Sequence, residues 1–313
     1  MGPLRFAPAP FASVLGRSEP TLGAKASADG FGLSMGVALR EALPRQEMEF
    51  PLQVSTDPED LQYRWVPVGR TLADTVTARP LEGSTVVAPE SPGVYRLALS
   101  QKGVEQIITE PAVAVLAPFA TKVGGFLGGY RIGTYLAERL RGRSAAKERP
   151  DGFIPVTEDM LDLPVSRHFR IRDFVTHDEQ DEVWPKYVAL DPRLLDKLEL
   201  VMLKLANFRG EDSLPTAALD VHSGFRTPAY NRTVDRSAKD SRHQYGDAAD
   251  VVIDADRDGR ITMKDIKLIV KAVDQVEREH PGLVGGVGQY ISRHYRTPYV
   301  HIDARGTRSR WQL

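Results

Sequence analysis

From residue 47 onward, apolar residues arrive in short alternating runs separated by turn residues roughly every ten positions. Residues 50–54, 63–68, 85–88, 94–99 and 107–109 are such runs, and 113–116 closes the set. This spacing predicts a small all-β sandwich over residues 47–117. Ahead of it, Pro3, Pro8, Pro10, Gly16, Pro20, Gly23 and Gly30 break residues 1–46 into a partly disordered segment, with one short helix expected at residues 33–43. Residues 118–151 read as a connector, marked by Gly124-Gly125, Gly128-Gly129 and a basic stretch at 139–143, with a short strand expected at 129–135. The period then lengthens. Leu194, Leu195, Leu198, Leu200, Val201 and Leu205 can share one face of a helix over residues 192–208, and a second helix fits 263–279. Strand-like runs stand at 217–221, 249–253 and 299–302. Helices mixed with a small antiparallel sheet predict an α+β domain over residues 152–313.

Composition narrows the function. A chain of 313 residues suits two domains. Its 41 Lys+Arg against 42 Asp+Glu give no global field that would favour nucleic acid or an anionic membrane. The absence of cysteine excludes disulfides and thiolate metal sites, so a metal must be held by His, Asp or Glu. No run of about 18 apolar residues is present, so no transmembrane helix is expected. The N-terminus lacks the basic start and apolar run of a signal peptide. That leaves a cytoplasmic protein, or an exported one whose signal has been removed. Residues 91–97, Ser-Pro-Gly-Val-Tyr-Arg-Leu, resemble the turn-then-strand of immunoglobulin-like modules. An immunoglobulin-like sandwich there would suit wall targeting or a protein partner.

The candidate chemistry lies near the C-terminus. In Ser-Arg-His-Gln-Tyr-Gly-Asp-Ala-Ala-Asp, residues 241–250, His243 precedes Asp250 by seven positions, and Asp250 opens an apolar strand. His301 lies on a second strand, Tyr-Val-His-Ile-Asp. If the two strands are neighbours, Asp250 and His301 face one pocket that His243 reaches from its loop. Two His and one carboxylate leave a fourth position open, the layout of a catalytic rather than a structural zinc site. His168, His177, His222 and His280 lack such spacing and read as surface or packed residues.

The order Ser-x-His-x-x-Gly-x-Ala-x-Asp, then a distant His on a Tyr-Val-His-Ile-Asp strand, resembles the M15 group of zinc D-Ala-D-Ala carboxypeptidases and endopeptidases. Upstream, Ser223-Gly224-Phe225-Arg226-Thr227-Pro228-Ala229-Tyr230-Asn231 matches that group's Ser-Gly-Tyr/Phe-Arg block. The ending, His301 to Trp311, is similar to its MepK-like murein endopeptidase branch. The resemblance covers roughly residues 215–313. It implies that His243, Asp250 and His301 hold zinc, and that Arg226 supports the site or meets a substrate carboxylate, with a structural salt bridge as the other reading. Pro298 stands where the group's best-known members carry a Glu. The general base then falls to Asp303 or His294, and Asp303 has a second reading as the group that orients a ligand His.

Residues 254–265 fit the twelve-residue EF-hand loop, resembling a dockerin-like half-motif. Asp254, Asp256, Asp258 and Asp265 fill positions 1, 3, 5 and 12, Gly259 position 6, and Arg260 offers a backbone carbonyl at 7. Calcium there would clamp the exit of the strand that presents Asp250. Weak loops of this kind suit millimolar calcium outside the cytosol, which favours a periplasmic or secreted protein. The leading expectation is a zinc metallopeptidase acting on peptidoglycan stem peptides or crosslinks. A non-catalytic zinc-containing module that binds cell wall or protein is the alternative, and a peptidase for ordinary peptides is a third.

Overall fold

The computed structural model describes residues 22–26, 36–50, 52–54, 60–69, 77–140, 149–291 and 295–313. The chain is α+β, built from small sheets and two long helices.

The N-terminal part centres on a five-stranded sheet. Its strands are β1 (Leu39–Ala42), β3 (Gln62–Pro67), β4 (Arg79–Pro80), β6 (Gly93–Gln101) and β7 (Val104–Val115), in the order β1-β7-β6-β3-β4. β1 pairs parallel with β7, and the remaining neighbours are antiparallel. Successive side chains on a strand face opposite sides, and the two faces feed different cores. Tyr63, Trp65, Tyr95, Leu97 and Val113 bury one face beneath a two-stranded ribbon of β2 (Glu47–Glu49) and β5 (Thr85–Val87). On the other face, Val94, Ala112 and Ala114 join a core that continues through Phe153, Leu194 and Val273. The two alanines let that core approach the sheet closely.

Two expectations change here. Residues 39–42 of the expected helix form a strand, and residues 33–35 lie outside the described residues. The parallel ladder to β7 supplies the backbone partners, and the extended chain sends Leu39 into one core and Ala42 into the other. The run at 107–109 and residues 113–115 of the last run also belong to one strand, β7, which pairs with β6 along both stretches across a register shift between Tyr95 and Leu97.

In the expected connector, Phe126–Leu127 and Tyr130–Arg131 form a small hairpin, and Phe119, Tyr130, Ile132 and Tyr135 are buried in the large core. Next, β8 (Gly152–Val156) pairs with β9 (Lys186–Val188). Helix α1 (Pro192–Asn207) begins where the Asp191 carboxylate accepts from the Arg193 backbone N–H and Pro192 takes the first turn. It packs against α2 (Met263–Glu279). The fully buried Lys197 of α1 donates to Glu277 of α2 (2.8 Å) and to the Asp303 carbonyl (2.6 Å), joining both helices to the sheet beneath them.

That second sheet holds the site. Its strands are β10 (Leu219–Ser223), β11 (Ala248–Ile253), β12 (Gly286–Tyr290), β13 (Tyr299–Asp303) and β14 (Ser309–Gln312), in the order β10-β11-β13-β12-β14. All neighbours are antiparallel except the β12–β14 pair. Ala249, Val251, Ile253, Val300, Ile302 and Val287 turn one face into the large core. The alternation therefore places Asp250, Tyr290, Tyr299 and His301 on the other face.

Candidate metal centre

Asp250 and His301 stand directly opposite each other on the paired central strands β11 and β13. The third member, His243, comes from a one-turn helix, Arg242–Tyr245, that ends at Gly246. Gly246 has φ of 74°, and a Cβ there would lie 2.3 Å from the Ala189 carbonyl oxygen. Glycine is required on both counts. The Tyr135 hydroxyl donates to the Gln244 carbonyl (2.8 Å) and braces the same turn.

The three side chains are buried and converge. His243 Nε2 lies 3.1 Å from His301 Nδ1, and the two nitrogens are 3.2 and 2.9 Å from Asp250 Oδ1. The opposite nitrogen of each ring is committed elsewhere. His243 Nδ1 lies 2.7 Å from the Gly224 carbonyl, which can only accept, so this nitrogen carries the proton. His301 Nε2 donates to Asp303 Oδ2 at 3.1 Å. As neutral rings, both aim a lone pair at the same point as the Asp250 oxygen. Three acceptors gathered in a buried space call for a cation. A tetrahedral metal with bonds of about 2.0–2.1 Å separates its ligand atoms by roughly 3.3 Å. The observed spacings approach that within a few tenths of an ångström, so the residues fit such an ion.

The electrostatics agree. Burial alone would raise the Asp250 carboxyl, but His243 and His301 override it and hold it well below the usual carboxylate range. Burial depresses His243, with Asp250 acting against it. At His301 burial acts in the same direction, but hydrogen bonds to Asp250 and Asp303 prevail and raise it.

Arg226 does not stand free. Its Nη2 donates to Asp250 Oδ2 (2.5 Å) and its Nε to the Ser223 hydroxyl (2.7 Å), which fixes the rotamer that turns Asp250 Oδ1 toward the two His. Asp303 is fully buried, held by His301, by the Gly286 N–H (2.8 Å) and by an ion pair with Arg305. This is the geometry of a group that orients a ligand ring. His294 lies outside the described residues.

The centre opens onto a cleft of about 550 Å³, with Tyr290, Tyr295, Tyr299 and Trp311 on its aromatic wall. Tyr290 and Tyr299 stack with centroids 4.4 Å apart, and Trp311 lies against His301 at 5.2 Å. Gly288 makes the second arrangement possible, since a Cβ there would come within 2.4 Å of the indole. A second hollow of about 430 Å³ shares Arg226, Asp250 and Tyr299 with the first and is lined by His177 and His222. His222 is exposed, as expected, yet its ring stacks on Tyr299 at 5.5 Å. His168 is a packed residue, with Nδ1 2.6 Å from Glu199. Sequence reasoning assigns no role in the site to Gly224, Arg305, Tyr290, Tyr299 or Trp311. Tyr299 carried a signal, being two residues before His301 and hence on the same face of a strand.

In the acidic loop, Asp254, Asp256 and Asp265 come together, while Asp258 stands outside that group and accepts from the Arg260 N–H (2.9 Å). The Asp265 carboxylate also accepts from the Ala255, Asp256 and Thr262 N–H groups and caps α2. The Lys264 ammonium pairs with Asp256 Oδ2 at 2.6 Å. Two groups able to hold a metal ion thus lie at either end of one strand exit, with no ion identity attached to either. No family model matches this chain, and no curated protein matches it.

Proposed function

We propose that the protein is a zinc metallopeptidase that hydrolyses peptide bonds in bacterial peptidoglycan, in the stem peptide or the crosslink. The supporting observation is the convergence of His243 Nε2, Asp250 Oδ1 and His301 Nδ1 on one buried point beside a cleft, with both rings committed through their other nitrogen. His243, Asp250 and His301 would hold the zinc, which would supply Lewis-acid chemistry for hydrolysis when bound. The chain's own residues prepare that chemistry. Arg226 sets the Asp250 rotamer and lines both hollows, where a guanidinium suits a substrate carboxylate. Asp303 orients His301, and the aromatic wall positions the peptide and limits water.

The loop at residues 254–265 is proposed to take calcium and to stiffen the exit of β11. The N-terminal sheet and ribbon are read as an immunoglobulin-like sandwich that contacts wall or a protein partner. The proposed substrate and the proposed calcium loop support reading the protein as periplasmic or secreted.

One observation favours a second reading, a non-catalytic module that binds cell wall or protein. Pro298 occupies the position where a Glu base is expected, and Asp303 is fully engaged. Digestion of purified peptidoglycan, with products separated by mass spectrometry, decides between the two. The zinc-loaded protein should release a terminal D-Ala or split crosslinked dimers, and stripped protein and His243→Ala should do neither. No product from protein that retains about one zinc per chain would establish the binding reading instead.

A further inference from the structure

On the aromatic wall of the metal cleft, Tyr290 has a hydroxyl that its neighbours orient without using its proton. Tyr290 and Tyr299 are cross-strand partners on β12 and β13, one same-face step along from the Gly288–His301 pair. Tyr299 stacks on the Tyr290 ring with planes 6° apart and holds it in place. Trp311 orients the hydroxyl. Its Nε1 lies 3.3 Å from the Tyr290 oxygen, and an indole N–H only donates, so that oxygen is the acceptor. The phenol proton then points away from Trp311, and none of the described residues accepts it.

The same indole ties this hydroxyl to the metal centre. A Cβ on Gly288 would lie 2.5 Å from Trp311 Nε1, so that nitrogen stands over the residue paired with His301. Tyr290, Trp311 and His301 all line the cleft. The Asp250 carboxylate and, in the opposite direction, the Arg226 guanidinium both act on the Tyr290 phenol, so its oxygen lies within reach of both charges. Burial first, and Asp250 with it, raise the phenol above its ordinary 10.0. It therefore keeps its proton at neutral pH and serves as a donor. Arg226 and Arg305 are already tied to Asp250 and Asp303. The Tyr299 hydroxyl has no partner among the described residues to aim it.

We infer that Tyr290 is a catalytic residue, whose hydroxyl donates to the carbonyl oxygen of the scissile bond and stabilises the negative charge that gathers there when water adds. The water oxygen bonds to the carbonyl carbon and the π pair moves onto the carbonyl oxygen. Tyr290 shares its proton with that oxygen and does not transfer it. The inference rests on the peptidase reading. A preorganised donor of this kind is worth about 10²–10³ in kcat.

Tyr290→Phe keeps the stacked ring and removes only the hydroxyl. The full zinc-loaded chain, wild type and variant, is titrated by calorimetry with two uncleavable isosteres of N-acetyl-D-Ala-D-Ala. The phosphinate is tetrahedral and carries the oxyanion, whereas the trans-alkene is planar and lacks the oxygen that Tyr290 would meet. The variant should bind the phosphinate at least about tenfold more weakly than wild type and the alkene equally well. Digesting peptidoglycan, it should turn over about 10²–10³-fold more slowly with its zinc content unchanged. Equal turnover, loss of zinc, or a phosphinate-to-alkene preference shared with wild type would each overturn the role and leave the peptidase reading standing. A wild type that neither prefers the phosphinate nor releases product sinks that reading, and the role with it.

Discussion

At the scale of single residues, the centre depends on what stands behind its ligands. His301 is useful as a ligand only while Nε2–H is held by Asp303, and Asp303 is in turn held by Arg305 and the Gly286 N–H. Asp303→Asn keeps the shape and removes the charge. Zinc affinity, read by competition with a chromophoric chelator, should fall about 10–100-fold. An unchanged affinity would mean that packing against Trp311 orients the ring by itself. Conversely, Asp303→Asn should leave the Asp250–Arg226 bond intact, because that bond uses the other side of the cluster.

At the scale of elements, the acidic loop and the start of α2 compete for the same carboxylates. Asp265 accepts from the N–H of the N-cap residue Thr262 and so closes the capping box of the helix, and Lys264 places an ammonium on Asp256. The ammonium sits where a divalent cation would draw on that oxygen. Lys264→Gln should therefore tighten calcium binding, though by no more than roughly fivefold, since the pair is exposed and screened. Calorimetry with calcium reads this directly, and weaker binding in the variant would show that Lys264 supports the loop rather than competes for it. The loop follows β11, so any stiffening reaches Asp250 through the strand.

At the scale of the whole molecule, the N-terminal sheet meets the C-terminal half at a cleft of about 530 Å³ holding Glu41, Asp151 and Asp191. Arg149, Arg193, Arg242 and Arg305 also face it, along with Asp247. Burial first, then Asp191 and Asp151, push Glu41 from its ordinary 4.5 up to about 8. An acid raised on folding holds its proton in the native state after the unfolded chain has lost it. Stability from this group is thus fully present below about 4.5, falls as pH rises, and levels off above about 8. Glu41→Gln should remove that slope. Melting temperatures of both proteins at pH 5 and pH 8.5 should diverge, with the variant gaining relative to wild type at the higher pH. Parallel profiles would mean that the arginines across the cleft neutralise Glu41.

Much of the candidate site is legible in the sequence. His243, Asp250 and His301 were marked by residue type and order, with Asp250 opening one apolar strand and His301 lying on a second, and both long helices were marked by their 3.6-residue stripe. These signals are local, because burial of one face writes its period into the chain. The strand at residues 39–42 was not legible, since its ladder partner lies some seventy residues away and its own pattern suits a helix equally well. Nor could the chain reveal that Gly288 makes room for Trp311, or that the Trp311 indole leaves the Tyr290 proton free. The sequence by itself determined which side chains can hold a cation and which segments bury a face. Only the tertiary structure decided which lone pairs converge, which carboxylate is already occupied and which donor is left without a partner, because these depend on distances between segments that no local period encodes.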